Sequence, residues 1–221
     1  MTMMEAMRAR HSVRSYLDRP LEADAVDILE AEISICNREG NLHIQLVKDE
    51  PEAFSGFMAR YGKFSGVKNY IALAGPNGPD LEEKCGYYGE RLVLLAQSLG
   101  LNSCWVAMSY DKGKAACKLE AGEKLCIVIA LGYGATQGVP HKSKAAEEVM
   151  VAKGEVPEWF RAGVEAALLA PTAMNQQKFK FALEDGTVAA SAGMGFYGKI
   201  DLGIAKYHFE VGAGRENFRW K

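Results

Sequence analysis

The sequence predicts an α+β fold: a mixed, mainly antiparallel sheet with helices on both faces, formed by two related halves in one chain. Three observations lead there. Apolar residues recur at helical spacing in some stretches and at strand spacing in others, along the whole length of the 221-residue chain. A polar, charged stretch from Val139 to Lys153 separates residues 1–150 from 155–221. Short echoes link the two parts: Tyr61-Gly62-Lys63 returns as Tyr197-Gly198-Lys199, and the Gly89 to Gly100 interval matches Gly203 to Gly214.

Met4 to Ala9 has helical apolar spacing and runs into the polar turn Arg10-His11-Ser12-Val13-Arg14. Leu21, Ala25, Ile28, Leu29 and Ile33 mark a helix after Pro20, with Glu22 and Asp24 at the end where the helix dipole favours negative charge. Leu42, Ile44 and Leu46 alternate with His43 and Gln45 as a half-buried strand, and Asn69 to Gly75 is a more buried one. A helix is expected between them, over Pro51 to Arg60. Tyr88, Leu92, Leu95 and Leu99 form the stripe of a long helix that Gly100 ends, and a strand from Ser103 to Ala107 follows. Leu125 to Leu131 is a continuous apolar run suited to a sheet interior, leading to Gly132-Tyr133-Gly134. Pro157 opens a helix through Leu169. Lys178 to Leu183 and Thr187 to Ser191 read as a hairpin across Glu184-Asp185-Gly186, and the last helix spans about Asp201 to Val211.

Composition narrows the function. Lys and Arg number 26 against 28 Asp and Glu, a net charge of −2, so no basic field gathers nucleic acid. Five cysteines, odd in number and without metal-ligand spacing, fit a reducing, cytoplasmic setting. The N-terminal stretch carries charge throughout, and no run reaches the roughly 18 apolar residues of a membrane span, so neither export nor insertion is expected. The Gly132-x-Gly134-x-x-x-Gly138 pattern is one residue too long for a dinucleotide fingerprint and is followed by Pro140 rather than a helix. Phosphate-loop, zinc-peptidase and serine-hydrolase motifs are lacking.

Two segments stand out. In Arg10-His11-Ser12-Val13-Arg14, two guanidiniums flank a hydroxyl; Arg presents a planar fork of donors that matches phosphate oxygens, and Ser12 adds a third. A solvated basic turn is the competing reading, and charge spacing alone favours it. In Ala170-Pro171-Thr172-Ala173-Met174-Asn175-Gln176-Gln177, a helix ends in proline and amide side chains come after it, each offering a donor and an acceptor to a heterocycle edge. A loop capped by its own Thr172 or Asn175 is the alternative.

Together these segments resemble the FMN-dependent nitroreductase family. Tyr88 to Val106, with its Gly-Leu-x-x-x-Trp turn, looks like that family's central helix and following strand, and Leu125 to Gly134 like the next strand. The family's Ala-Pro-x-x-x-Asn loop ordinarily comes after the first helix, whereas here it lies at 170–177, so the chain resembles the permuted, single-chain branch. The resemblance implies an N-terminal half over 1–150 and a C-terminal half over 155–221 that completes the flavin site in place of a partner subunit. It implies a monomer with an internal pseudo-dimer, or a weak homodimer. It assigns Arg10, Ser12 and Arg14 to the FMN phosphate, with Lys142 and Lys144 as further basic candidates. Pro171, Thr172, Met174, Asn175 and Gln177 are assigned to the isoalloxazine ring. Val106 and Ala107 would offer backbone to the flavin, and Gly132 and Gly134 close approach near the ribityl chain. Trp105 reads as core rather than site. The implied activity is reduction of a small organic acceptor, such as a nitroaromatic, quinone or flavin, with NADH or NADPH as donor, by a ping-pong mechanism. The chemistry resides on flavin N5, so no catalytic side chain is assigned, and no metal. The alternatives are an FMN-binding electron-transfer or flavin-storage protein without its own acceptor, and a protein that has lost the cofactor.

Overall fold

The computed structural model describes every residue except Lys153 and Asp185. The expected turn residue Asp185 and the end of the expected connector, Lys153, therefore lie outside the described residues. In chain order the elements are α1 (Met3–Ala9), α2 (Ala23–Gly40), β1 (Gln45–Val47), α3 (Phe57–Tyr61), β2 (Asn69–Pro76), α4 (Leu81–Ser98), β3 (Asn102–Val106) and β4 (Glu123–Gly132). They continue with α5 (Ala146–Val149), β5 (Met150–Ala152), α6 (Glu158–Ala167), β6 (Phe179–Glu184), β7 (Thr187–Ala192), α7 (Gly198–Ala213) and β8 (Arg219–Trp220). The fold class is α+β, as the sequence predicts, but among the described residues the strands divide into two sheets of four rather than one, the first antiparallel and the second mixed.

The chain forms two compact units. One comprises Ala9–Leu81 and Leu92–Pro140; the other comprises Met1–Arg8, Glu82–Arg91 and His141–Lys221. The first unit holds the sheet ordered β1-β2-β4-β3, antiparallel throughout. Its two central strands are the apolar runs: β2 is buried from Asn69 to Gly75 and β4 from Ile127 to Gly132. Such continuous runs have no face left for water, which is why they sit inside the sheet. Tyr16, Phe54, Phe64, Tyr70, Val106 and Val128 are part of the core on one side.

The second unit holds the mixed sheet β5-β6-β7-β8, with β5 parallel to β6, β6 antiparallel to β7, and β7 parallel to β8. An aromatic cluster fills its core: the Phe181 and Phe209 rings stack at 4.6 Å, with Phe160, Phe218 and Trp220 around Phe209. Helices α6 and α7 close on each other through small residues. A Cβ on Gly212 would stand 2.4 Å from the Ala166 Cβ, and one on Gly163 would stand 2.8 Å from the Phe209 ring.

Three expectations change in detail. The strand expected over Leu42 to Leu46 is confined to Gln45–Val47, because Asn37 of α2 captures Ile44 instead: its Oδ1 accepts the Ile44 N–H (2.6 Å) and its Nδ2 donates to the Ile44 carbonyl (2.9 Å). The helix expected over Pro51 to Arg60 is broken into a 3-10 turn, Glu52–Phe54, and the short α3. Gly56, extended at φ −81° and ψ −180°, interrupts it. The polar stretch after Val139 is not a bare connector, since it contributes α5 and the edge strand β5, paired with β6 at Met150 and Phe181. Among the described residues, no helix is long and apolar enough to cross a membrane.

Candidate functional site

The segment after α1 runs extended beside β3. Ser12 bridges Ser103 in parallel, the Val13 N–H donates to the Ser103 carbonyl (3.0 Å), and the Ser65 N–H donates to the Arg14 carbonyl (2.9 Å). Val13 is buried at 1% exposure in the same core cluster as Cys104 of β3, while Arg10, Ser12 and Arg14 run from buried through half-buried to exposed. Cys104 of β3, also buried, is the point on which they converge. The Ser12 side chain hydrogen-bonds its thiol, and the charges of Arg14 and Arg10 both act on it. Burial nevertheless pushes the Cys104 thiol up from its usual range, because loss of water outweighs the two guanidiniums and the hydroxyl.

The three members differ in access. Arg14 is exposed, with its guanidinium carbon 5.8 Å from the centre of the Phe64 ring, and Ser12 is half-buried. Arg10 is 3% exposed and engaged inside the protein. Beside them, Tyr16 anchors the segment: its hydroxyl donates to the Val13 carbonyl (2.7 Å), and its ring lies against Gly132, where a Cβ would come within 3.1 Å. Gly134 donates its N–H to Asn102 Oδ1 (2.9 Å), and a Cβ there would stand 2.5 Å from the Thr136 carbonyl. Close approach at these glycines is made by the protein's own backbone and side chains. Val106 ends β3 buried, Ala107 is half-buried beyond it, and Trp105 is half-buried rather than fully core.

The second candidate segment, 171–177, belongs to the other unit and is held by a dense set of hydrogen bonds. Its backbone is unusual: Met174, Asn175 and Gln177 take φ of 51°, 52° and 45°, a left-handed conformation costly for residues with a Cβ. Asp201, in the first turn of α7, secures it by accepting the Ala173 N–H at 3.0 and 3.2 Å and the Gln176 Nε2 at 2.8 Å. Gln176 Nε2 also donates to the Phe196 carbonyl (2.7 Å), and the Gln177 N–H donates to Thr172 Oγ1 (3.0 Å). Asp201 is only 3% exposed, and burial raises its pKa to about 6 against the opposing pull of Gln176 and the Ala173 N–H.

The amides expected to meet a heterocycle are largely committed to the protein. Gln177 is buried; its Nε2 donates to the Lys142 carbonyl (2.8 Å) and to Asn175 Oδ1 (2.7 Å), while its Oε1 accepts the Lys144 N–H (2.9 Å). Asn175 Nδ2 donates to the same Lys142 carbonyl (2.9 Å), and Lys144 Nζ donates to the Gln177 carbonyl (3.0 Å). Lys142 is exposed, and its backbone is what the loop holds. Met174 is 80% exposed, and Pro171 and Thr172 are half-buried. Sequence reasoning missed Cys104 and Asp201. Asp201 carried the signal of a helix start, but its burial under the 171–177 loop is a property of the fold.

The class of protein that this fold defines is established by comparison. The family described as "Putative TM nitroreductase" matches residues 2–213, and the chain belongs to it. None of the curated proteins matches the chain. Among solved structures, the chain is similar to one described as a putative nitroreductase from Thermotoga maritima MSB8, with a TM-score of 0.67 and 23% identity over 98% of this chain and 85% of that one. A second, described as a putative nitroreductase in complex with FMN from Desulfovibrio desulfuricans, has a TM-score of 0.54 and 20% identity over 71% of this chain and 99% of that one. A third, described as a putative NADH dehydrogenase/NAD(P)H nitroreductase from Parabacteroides distasonis ATCC 8503, has a TM-score of 0.53 and 22% identity over 66% and 95% of the two chains. Among the described residues, no group of three or more His, Cys, Asp or Glu is placed to hold a metal ion.

Proposed function

We propose that the protein is a cytoplasmic oxidoreductase that binds FMN, takes reducing equivalents from NADH or NADPH, and passes them to a small organic acceptor by a ping-pong mechanism. The observation that carries this reading is the gathering of Arg10, Ser12 and Arg14 around Cys104 beside β3. Family membership and the FMN complex of a structurally similar protein support it.

The residues present fit a phosphate. Arg14 offers an exposed guanidinium and Ser12 a half-exposed hydroxyl, while the buried Arg10 charge adds a positive field that water screens little. When bound, FMN supplies hydride chemistry that side chains lack. The chain's own contribution is to bind and to orient. Arg14 and Ser12 would hold the phosphate, and Val13 and Tyr16 fix the segment that carries them. In the other unit, Asp201 and Thr172 hold the backbone of the 171–177 loop rigid. Lys144 contributes by bracing that loop rather than by reaching out. One chain is the proposed working unit, with one FMN per monomer.

The test is an absorbance spectrum of the purified protein before and after FMN is added, then with NADH and NADPH in the absence of oxygen. Bound flavin bleached by either nucleotide supports the reading. Bound flavin that neither reduces would replace it with an electron-transfer or storage role, and no uptake would end it. Flavin-to-protein ratio and sedimentation test the single-chain unit.

A further inference from the structure

A small cleft in the unit of the first sheet lies where β2 begins and β4 ends. It encloses about 70 Å³, and Leu17, Asp18, Pro20, Asp49, Lys68 and Asn69 are among the residues that line it. That volume suits a group of a few atoms, well below the roughly 300–1,000 Å³ of pockets for whole drug-sized ligands. Tyr16 and Gly132 also line it, whereas Arg10, Ser12 and Arg14 do not.

Asn69 is the informative residue. It is 5% exposed, and its Oδ1 accepts the Asp49 N–H at 3.1 Å, which fixes the amide orientation. Its Nδ2, with no acceptor among the described residues, is left to the cleft it lines. Asp49 stands beside it with φ +53° and an exposed carboxylate that has no partner among the described residues. The remaining charges are engaged: Lys68 Nζ pairs with Asp18 Oδ1 at 2.5 Å, and Arg19 pairs with Glu22 and lies 3.8 Å over the Tyr133 ring.

The cleft thus presents one open N–H donor and one open anionic acceptor. A carboxylate ligand would meet the Asn69 donor but be repelled by Asp49 and Asp18. An ammonium ligand would meet Asp49 but leave Asn69 unmatched and face Lys68. A primary carboxamide answers both, with its carbonyl accepting from Asn69 Nδ2 and its own N–H donating to Asp49. We propose that this cleft binds the primary carboxamide end of a small molecule, with the apolar body resting on Leu17 and Pro20.

The probe is benzamide, titrated into the full-length, ¹⁵N-labelled protein as purified and followed by NMR at the Asn69 side-chain amide, with benzoate and benzylamine as comparators. Saturable shifts of the Asn69 NH₂ pair at about 1–10 mM benzamide are expected, in line with the efficiency of so small a ligand. Asp49→Asn suits its left-handed backbone and weakens binding about tenfold, the loss of one charge-assisted bond. Asn69→Asp, which still accepts the Asp49 N–H, does the same. No saturable shift, binding unchanged in Asp49→Asn, or benzoate or benzylamine binding as tightly as benzamide would each overturn the assignment.

Discussion

Gly86 of α4 and Gly203 of α7 let the two helices meet backbone to backbone. A Cβ on Gly86 would stand 2.1 Å from the Ile200 carbonyl oxygen and 3.1 Å from the Gly203 Cα, and one on Gly203 would stand 2.0 Å from the Glu83 carbonyl oxygen. At this separation the flanking side chains bond across the pair. Tyr87 donates to Glu210 (2.5 Å), Lys206 pairs with Glu83 (2.6 Å), and His208 meets Glu90 (2.9 Å).

Gly86→Ala and Gly203→Ala are therefore expected to destabilise the fold, each by about 1–3 kcal/mol or more, since the added methyl meets backbone that cannot rotate away. Urea midpoints of the two variants measure this. Gly78→Ala, where nothing stands within 4 Å, is the control that stays near wild type.

His208 is wholly buried between the Ala166 carbonyl, 3.0 Å from its Nδ1, and Glu90 Oε1, 2.9 Å from its Nε2. Replacing it with Phe takes the imidazole partner from a carboxylate with no exposure. The expected loss is about 3–5 kcal/mol, the range for breaking a buried pair from one side. Glu90→Gln keeps a hydrogen-bonding group in place and is expected to cost less; thermal unfolding of both variants ranks them.

Asp201 gives a pH dependence with a definite sign. Its folded pKa of about 6 lies above the ordinary aspartate value of 3.8, so between these values the folded state holds more of the proton than the unfolded chain. Its contribution to stability is full below about pH 4 and declines as pH rises through 6, by about 2–3 kcal/mol at most. Denaturant titrations from pH 4 to 7 should show this slope in the wild type and lose it in Asp201→Asn.

Gln177→Leu removes the acceptor of the Lys144 N–H and both donors of the side-chain amide. Hydrogen exchange at the Lys144 amide is expected to accelerate by tenfold or more, about 1–2 kcal/mol of lost protection. Unchanged exchange at Lys144 would show that the loop does not depend on this amide.

Ser12→Ala combined with Arg14→Ala should weaken FMN binding by about 2–4 kcal/mol, from one charged and one neutral hydrogen bond. Arg14 is the member to remove, since its side chain is exposed, whereas Arg10 is buried. Fluorescence titration with FMN measures it, and an undiminished affinity would remove this pair from the phosphate assignment.

Much of the fold is legible because it rests on local pattern. Asn69 to Gly75 and Leu125 to Leu131 are dominated by apolar residues, so they become the adjacent central strands β2 and β4. Gly100 and Gly214 come after α4 and α7 at φ of +78° and +76°, a conformation that glycine enters without the penalty of a Cβ. The echo of Tyr61-Gly62-Lys63 in Tyr197-Gly198-Lys199 does not mark the same local structure. The first ends α3, and the second opens α7. Three letters do not fix a helix terminus when the flanking residues differ.

By itself, the sequence determined which residues are apolar at which period, and from that most of the helices and strands; the stretch Arg10 to Arg14, which reads as a polar turn, instead bridges β3 at Ser12 and Ser103. Only the tertiary structure decided what those side chains meet. It set Cys104 beneath the arginines, committed Gln177 to Lys142 and Lys144, buried Asp201 under the 171–177 loop, and left the Asn69 amide donor open. The physical reason is range: periodicity is written in neighbouring residues, whereas a hydrogen-bond partner or a lost hydration shell depends on segments far apart in the chain, such as Gln177 and Lys144 or Asp201 and Ala173.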